Sequence, residues 1–378
     1  MDYTVRFEQE AVDCLQKDLE SLNAKSIFLV TGKKSYESSG SQALIEDIED
    51  RYKFIRFQDF EDNPNIEDVV KGVKLFKESA TNVIMAIGGG SVIDMAKLIK
   101  FFNNKAEPFI NQFNTRIKDS ENIPLIVIPT TAGTGSESTH FAVLYVGMNK
   151  YSIADSLLLP NHVAIISKLT LSQSAYQKAV SGIDSFSQAI ESYWSVQSTQ
   201  ESREYSLDAL KLIIPSLPLV VNGDNQDAHE KMALGAFLAG KAINIAKTTA
   251  PHAFSYYLTK RFSLPHGHAV AVFLPSFIAY NFHLNSDKIN FKDSPNLKDL
   301  KILLQQLLGE NNNLRIDKSV SQFISSIGIQ LNLEVLSLER KDIVSALKSG
   351  NKERLKNNPR DFDYDSFIRE TDIIDYVI

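Results

Sequence analysis

Three of the chain's seven histidines, His252, His266 and His268, fall in one short segment, Pro251-His252-Ala253-Phe254-Ser255-Tyr256 followed by Leu264-Pro265-His266-Gly267-His268. The neighbours are small, apolar, Gly or Pro, so an unpartnered imidazole there would cost free energy. Upstream, Gly182-Ile183-Asp184-Ser185-Phe186-Ser187-Gln188 sets Asp184 and Gln188 four residues apart, on one face if Ser181 to Tyr193 is helical. A carboxylate, an amide oxygen and two imidazoles arriving from a later hairpin would cage a divalent cation. A buried His is more often merely hydrogen-bonded; the crowding of three into this segment favours the metal.

A second group of residues suits an anionic ligand. Asn82 to Ile87 is a continuous apolar run, as expected of a strand covered on both faces, and Gly88-Gly89-Gly90-Ser91 then opens a helix over Val92 to Phe102. A glycine turn at a helix N-terminus lets backbone N–H groups approach a diphosphate. Asp94 and Lys97, in the first turns, could bracket a ribose or substrate, or else be helix-surface charge. The next buried strand, Pro124 to Pro129, runs into Thr130-Thr131-Ala132-Gly133-Thr134-Gly135-Ser136-Glu137, a donor-rich loop where open α/β sheets place ligands. The two loops should lie side by side.

The elements around these groups change character along the chain. Ser26 to Gly32 followed by a helix-like Ser41 to Tyr52 is a strand, turn and helix; Phe54 to Phe57 is another strand; Asn65 caps a helix over Ile66 to Ser79. From Leu169 onward the pattern is helical: Ser181 to Ser195, Glu201 to Ile214, His229 to Ile245, Pro251 to Lys260 and His268 to Tyr280. We expect a Rossmann-like α/β domain over 1–168 and an all-α domain over 169–378, with a cleft setting the cradle opposite the metal.

Bulk properties agree. At 378 residues the chain exceeds a single ordinary core. Hydrophobic content of 43%, charged content of 23% and net charge of -6 describe a globular protein with no general attraction to nucleic acid or anionic lipid. The lone Cys14 excludes an intramolecular disulfide, no apolar run reaches membrane-span length, and the start lacks a secretory pattern, so the expected location is cytoplasmic.

Gly88-Gly89-Gly90-Ser91-Val92-Ile93-Asp94, Pro129 to Glu137, Gly182-Ile183-Asp184 with Ala189-Ile190-Glu191, Pro265-His266-Gly267 and Asn358-Pro359-Arg360 together resemble the iron-dependent (group III) alcohol dehydrogenases, in the right order over nearly the whole chain. The resemblance implies Fe(II) or Zn(II) on Asp184, Gln188, His252 and His266, with Gln188 standing where relatives usually carry His. It implies a catalytic role for the two histidines and for Tyr256, which replaces a proton-relaying His. Gly89, Gly90 and Ser91 would hold the diphosphate, Thr130, Thr131 and Thr134 the ribose and nicotinamide, and Asn63, Asp94, Lys150 and Leu171 would lie along the cofactor. A homodimer is implied as well.

At the adenosine end, NAD-preferring relatives often carry Asp where this chain has Gly32, followed by Lys33, Lys34 and Ser35. Without that carboxylate and with ammonium groups nearby, a 2′-phosphate is accommodated, which favours NADP(H) over NAD(H). Lys241, in the apolar surround Phe237 to Ile243, reads as a lone ammonium seeking an anion. Taken with Gln188, Thr139-His140-Phe141-Ala142-Val143 and Ala250-Pro251-His252, this segment resembles the phosphonoacetaldehyde reductase branch, which implies phosphonoacetaldehyde to 2-hydroxyethylphosphonate as the reaction, with Lys241, Asn244 and Lys247 holding the phosphonate. The alternatives are a dehydroquinate-synthase-like cyclase, a polyol-phosphate dehydrogenase, and a silent nucleotide-binding relative.

Overall fold

A computed structural model describes residues 3–103, 123–147, 149–282, 297–308 and 315–371. The chain divides into two compact units, Met1–Gln173 and Ser174–Ile378. The first contains β1 (Thr4–Phe7), α1 (Glu8–Ser21), β2 (Ser26–Thr31), α2 (Ser35–Ser38), α3 (Gln42–Glu46), β3 (Lys53–Phe57), α4 (Ile66–Ser79), β4 (Val83–Gly88), α5 (Gly90–Phe102), β5 (Leu125–Pro129), β6 (Phe141–Val146), β7 (Asn149–Ala154) and β8 (His162–Ile165). Six strands form one parallel sheet in the order β1-β8-β5-β4-β2-β3, and β6 and β7 pair as an antiparallel hairpin.

The apolar runs become central strands because both faces are covered. Phe28 and Val30 of β2 join one core with Val69 and Val73 of α4 and Val92 of α5. Ile27 and Leu29, pointing the other way, join a second core with Ala11, Leu15 and Leu19 of α1. After β2 the chain steps outward to β3, then returns past β2 to β4, which lies on β2's other side with Thr31 opposite Ile87. Adjacent strands whose connections leave in opposite directions open a crevice at their carboxyl ends.

Asn65 caps α4 as expected, its side chain accepting from the Asp68 N–H at 2.8 Å. The helix expected over Ser41 to Tyr52 is cut short to α3, with turns after Glu46, and the separate short α2 precedes it. Glu46, Asp47, Glu49 and Asp50 would crowd the carbonyl end of a longer helix with like charge.

The second unit is all helical among the described residues: α6 (Ala175–Trp194), α7 (Gln200–Asn222), α8 (Gln226–Ala246), α9 (Ala250–Phe262), α10 (His266–Phe282), α11 (Leu297–Leu308), α12 (Ile316–Ser326), α13 (Arg340–Lys348), α14 (Lys352–Lys356) and α15 (Tyr364–Glu370). A capping box of Ser174 and Gln177 starts α6. Helix α7 continues through Pro215 and Pro218, past the expected stop at Ile214, because Leu217 and Val220 are buried beyond them. No helix among the described residues is long and apolar enough to cross a membrane.

Candidate active site

Asp184 lies mid-way along α6, His252 in the first turn of α9 and His266 at the start of α10. One ligand atom from each lies within 4.8 Å of the others, a spacing that suits a shared cation. The imidazoles therefore come from two helix N-termini, not from a hairpin. Gly267 explains how α10 gets so close: a Cβ there would come 2.1 Å from the Val180 carbonyl and 3.1 Å from Asp184 Cβ.

Glu191, about two helical turns beyond Asp184 and fully buried, fixes His252. Its Oε2 accepts from Nδ1–H of His252, while Oε1 accepts from the Thr249 N–H at 2.9 Å and hydroxyl at 3.0 Å. With Nδ1 carrying the proton, Nε2 presents its lone pair 3.2 Å from Asp184 Oδ1. Two acceptors cannot share that separation unless a proton or a cation stands between them. Left to a proton, burial would lower the His252 pKa, but the Glu191 charge and the bonds to both carboxylates outweigh it and raise the pKa. Burial likewise works to raise the pKa of Asp184, and the His252 hydrogen bond with the nearby imidazoles brings it below the ordinary range. A metal would take the place of the proton, and a carboxylate behind a ligating imidazole is the usual support for one.

Gln188 stands beside this group but is turned to Asp184, donating its amide N–H to Oδ2 at 3.0 Å. Through this bond its nitrogen steadies Asp184, and the bond does not engage its amide oxygen. His268 takes no part, since Nδ1 meets the Tyr176 hydroxyl at 2.8 Å and Nε2 the Gln330 carbonyl at 2.6 Å. Tyr256 stacks on His266, with ring centroids 5.7 Å apart and planes 10° from parallel. Burial raises its pKa, against the lowering expected of a ready proton donor; Arg354 opposes the rise, while Glu191 and Asp184 add to it.

In the first unit the two loops do lie side by side. Gly88 of β4 is opposite Pro129 of β5, and the Thr130 N–H donates to the Gly88 carbonyl at 3.0 Å. A Cβ on Gly90 would meet Thr134 Oγ1 at 2.8 Å, and one on Gly89 would meet Thr131 Cγ2 at 3.1 Å. These two glycines keep the α5 N-terminus open beside a hydroxyl-rich wall. Ser91 accepts from the backbone N–H of Asn63 at 3.2 Å, which brings the β3–α4 loop to the same turn. Gly32 sits where β2 ends, 2.2 Å from Ser35 Oγ were it to carry a Cβ, and Lys33 pairs with Glu61 at the surface at 2.9 Å. Lys150 lies on β7 opposite Tyr145, and half-buried Leu171 ends the short helical turn Ser167–Thr170.

Asp94 and Lys97 both bind the hydroxyl-rich loop. Asp94 Oδ1 accepts from Ser136 Oγ at 2.5 Å and Oδ2 from the Val143 N–H at 2.9 Å. The fully buried Lys97 ammonium donates to the carbonyls of Ser136, Thr139 and Phe141 at 2.5, 2.7 and 3.0 Å. The pair frames the hydroxyl loop.

Lys241 on α8 is not a lone ammonium, because it lies 5.0 Å above the Tyr205 ring. Lys247, where α8 ends, pairs with Glu353 at 3.0 Å, and Asn244 is half-buried on α8. The Asn358-Pro359-Arg360 segment is structural: Asn358 binds Asn281, and Arg360 binds the Tyr280 carbonyl and Glu370. Reading the sequence left Glu191 and Arg354 without roles. The seven-residue step from Asp184 was the available sign for Glu191; nothing local marked Arg354.

A family model described as iron-containing alcohol dehydrogenase matches residues 3–167, and a second, Fe-containing alcohol dehydrogenase family, C-terminal, matches 178–369. Long-chain-alcohol dehydrogenase 1 of Geobacillus thermodenitrificans is 30% identical over 275 residues, covering 71% of this chain and 70% of that protein. Aldehyde-alcohol dehydrogenase 2 of Entamoeba histolytica is 33% identical over 276 residues, 68% of this chain but only 31% of that longer protein. Among solved structures, sulfoacetaldehyde reductase from Bifidobacterium kashiwanohense in complex with NAD+ superposes with a TM-score of 0.84 at 26% identity, covering 97% of this chain and 95% of that one.

Proposed function

The chain belongs to the iron-containing alcohol dehydrogenase family, and from that premise we propose that it reduces an aldehyde to a primary alcohol, reversibly, using a nicotinamide dinucleotide and Fe(II) or Zn(II) held by Asp184, His252 and His266. The observation that carries the reading is the facing of His252 Nε2 and Asp184 Oδ1 with Glu191 behind the imidazole, a pair of donors arranged for a cation. Bound there, the metal would polarise a carbonyl oxygen, and the reduced nicotinamide would supply hydride.

The chain's own residues do the positioning. Glu191 sets the tautomer of His252, and Gln188 holds the second oxygen of Asp184. To Tyr256, whose ring stacks on that of His266, we assign the passing of a proton to the nascent alcohol, directly or through water. Gly89, Gly90 and Ser91 receive the diphosphate at the start of α5, with Thr130, Thr131 and Thr134 as the adjoining wall.

The substrate we propose is a short aldehyde bearing an anion, phosphonoacetaldehyde first; a neighbour that acts on sulfoacetaldehyde supports an anionic class. For the cofactor we propose NADP(H) over NAD(H). The turn after β2 offers Gly32 in place of a carboxylate, and Arg56 adds positive charge beside it, with Nε donating to Thr31 Oγ1 at 2.8 Å and the guanidinium 4.3 Å from the Tyr36 ring. The cyclase alternative finds no support, as it needs several basic groups around a sugar phosphate.

Purified protein stripped of metal and reloaded with Fe(II) or Zn(II) tests this directly. NADPH oxidation should appear with phosphonoacetaldehyde only after reloading. Reloaded protein that binds metal yet leaves every aldehyde in a panel unreduced sinks the reading, and a tenfold higher kcat/KM with NADH sinks the cofactor preference.

A further inference from the structure

Arg354, on α14, is a guanidinium one aromatic ring removed from His266 that forms no ion pair among the described residues. It is half-buried, and its CZ lies 5.8 Å from the ring of Tyr256, the same ring that stacks on His266. One nitrogen donates to Thr248 Oγ1. Among the described residues no carboxylate forms an ion pair with it, and its chain neighbour Glu353 pairs with Lys247, which lowers the Glu353 pKa with help from the Arg354 charge. Of five N–H donors in a planar fork, one is committed to a hydroxyl, and no side-chain carboxylate among the described residues pairs with the rest.

Its position is set by two anchors on either side of α14. Gly350 packs so tightly against Phe254 of α9 that a Cβ there would come 2.3 Å from the ring. Asn357, buried, donates to the carbonyls of Ala246 and Thr248 at 2.8 and 3.1 Å and accepts from Ser195 Oγ at 2.8 Å. The segment is thereby bound to the chain that leads into α9 and His252. Thr248 holds Arg354, and Thr249, the next residue, holds Glu191. The charge and the metal ligand share one support.

The other cations considered for the same task are occupied. Lys241 faces the Tyr205 ring and Lys247 faces Glu353. A guanidinium also suits the task better: its fork matches two oxygens of a tetrahedral oxyanion, and it gives up hydration more readily than an ammonium.

We propose that Arg354, oriented by Thr248, is the anchor for a tetrahedral oxyanion, phosphonate or sulfonate, carried one carbon away from the substrate's reacting carbonyl. The assignment rests on the aldehyde-reducing reading of the metal site and adds to it the residue that selects the substrate class.

The test compares wild type, Arg354→Ala, Arg354→Lys and Thr248→Val, each metal-loaded and with metal content measured. Selectivity is the ratio of kcat/KM for phosphonoacetaldehyde, or for sulfoacetaldehyde in a parallel arm, to kcat/KM for propanal. Arg354→Ala should lower that ratio about 50-fold, mostly through KM, as expected for a lost charge-assisted fork. Arg354→Lys should recover only part of it, and Thr248→Val should lower it a few-fold; whichever anion loses more identifies the preferred head group. Equal losses on the anionic and uncharged aldehydes overturn the anchor and leave the aldehyde-reducing reading intact. Calorimetry with 2-hydroxyethylphosphonate and isethionate gives a second readout that needs no turnover: binding by wild type that Arg354→Ala weakens supports the anchor, and unchanged affinity overturns it.

Discussion

The two units prepare for their ligands in opposite ways. In Met1–Gln173 the cradle is made by leaving things out: Gly89 and Gly90 omit side chains that Thr131 and Thr134 would otherwise strike, and the buried charges Asp94 and Lys97 turn inward to hold the loop. In Ser174–Ile378 the ligand group is made by putting things in: Asp184, His252 and His266 converge, and Glu191 and Gln188 stand behind two of them. A long, chemically constant cofactor suits backbone donors at a helix N-terminus. A cation needs specific donor atoms at fixed separations, which only supported side chains provide.

The comparison breaks most visibly at the ligands. Asp184→Ala should cost more than about 100-fold in affinity for Zn(II) or Fe(II), since even losing a supporting residue typically costs 10- to 100-fold. Metal retained after dialysis measures it, and dinucleotide binding to the same protein should persist. If Asp184→Ala removes both together, the two sites do not work independently as described.

Next comes the support. Glu191→Gln retains an acceptor but removes the charge that favours a cation on His252, so metal affinity should fall about tenfold or more, less than for Asp184→Ala. Ligand and support thus separate by magnitude. Metal content equal to wild type would make Glu191 a packing residue.

This division also governs how much the sequence disclosed. The parallel α/β unit and the helical unit were legible, because continuous apolar runs ending in glycine and long 3.6-residue patterns report burial directly. The thin edge strand β1, β7 and β8 were not, as their short runs mix polar and apolar residues, and neither was β6, although its run is apolar throughout. Asp184, His252 and His266 could be found by type and spacing. What type cannot reveal is what a polar group is aimed at: Gln188 faces Asp184, His268 faces Tyr176 and Gln330, and Lys97 faces three carbonyls contributed by residues some forty positions away. Glu191 and Arg354 were hidden for the same reason, since their partners lie far along the chain.

In the first unit the omission itself can be reversed. Gly90→Ala puts a methyl 2.8 Å from Thr134, so either the threonine turns away or the α5 N-terminus shifts. Dinucleotide affinity should drop about tenfold, a loss of the order of one charge-assisted hydrogen bond, while metal content stays at the wild-type level. Fluorescence titration with NADPH and NADH measures the first and metal analysis the second.

The smallest effect concerns the frame behind the cradle. Burial raises the Glu137 pKa to about 7 and lowers that of Lys97 to about 8. Below the ordinary Glu value both folded and unfolded chains hold the proton. As pH rises from there through 7 the unfolded chain ionises first, so the contribution of Glu137 to stability is fully present in acid and is lost over this window. Lys97 has the opposite slope at higher pH: from about 8 to its ordinary value of 10.5 the folded chain releases its proton first, and stability rises with pH. Glu137→Gln should therefore flatten the decline in Tm across the acid window by a few degrees and leave the alkaline side alone. Thermal melts of wild type and variant across pH 4 to 9, compared as a difference curve, isolate the group from the other titrating residues. A difference curve that is flat below pH 7 would mean that Glu137 is ionised in the folded protein, and the inward-turned charges would then be part of the ligand's electrostatic field, no longer only its scaffold.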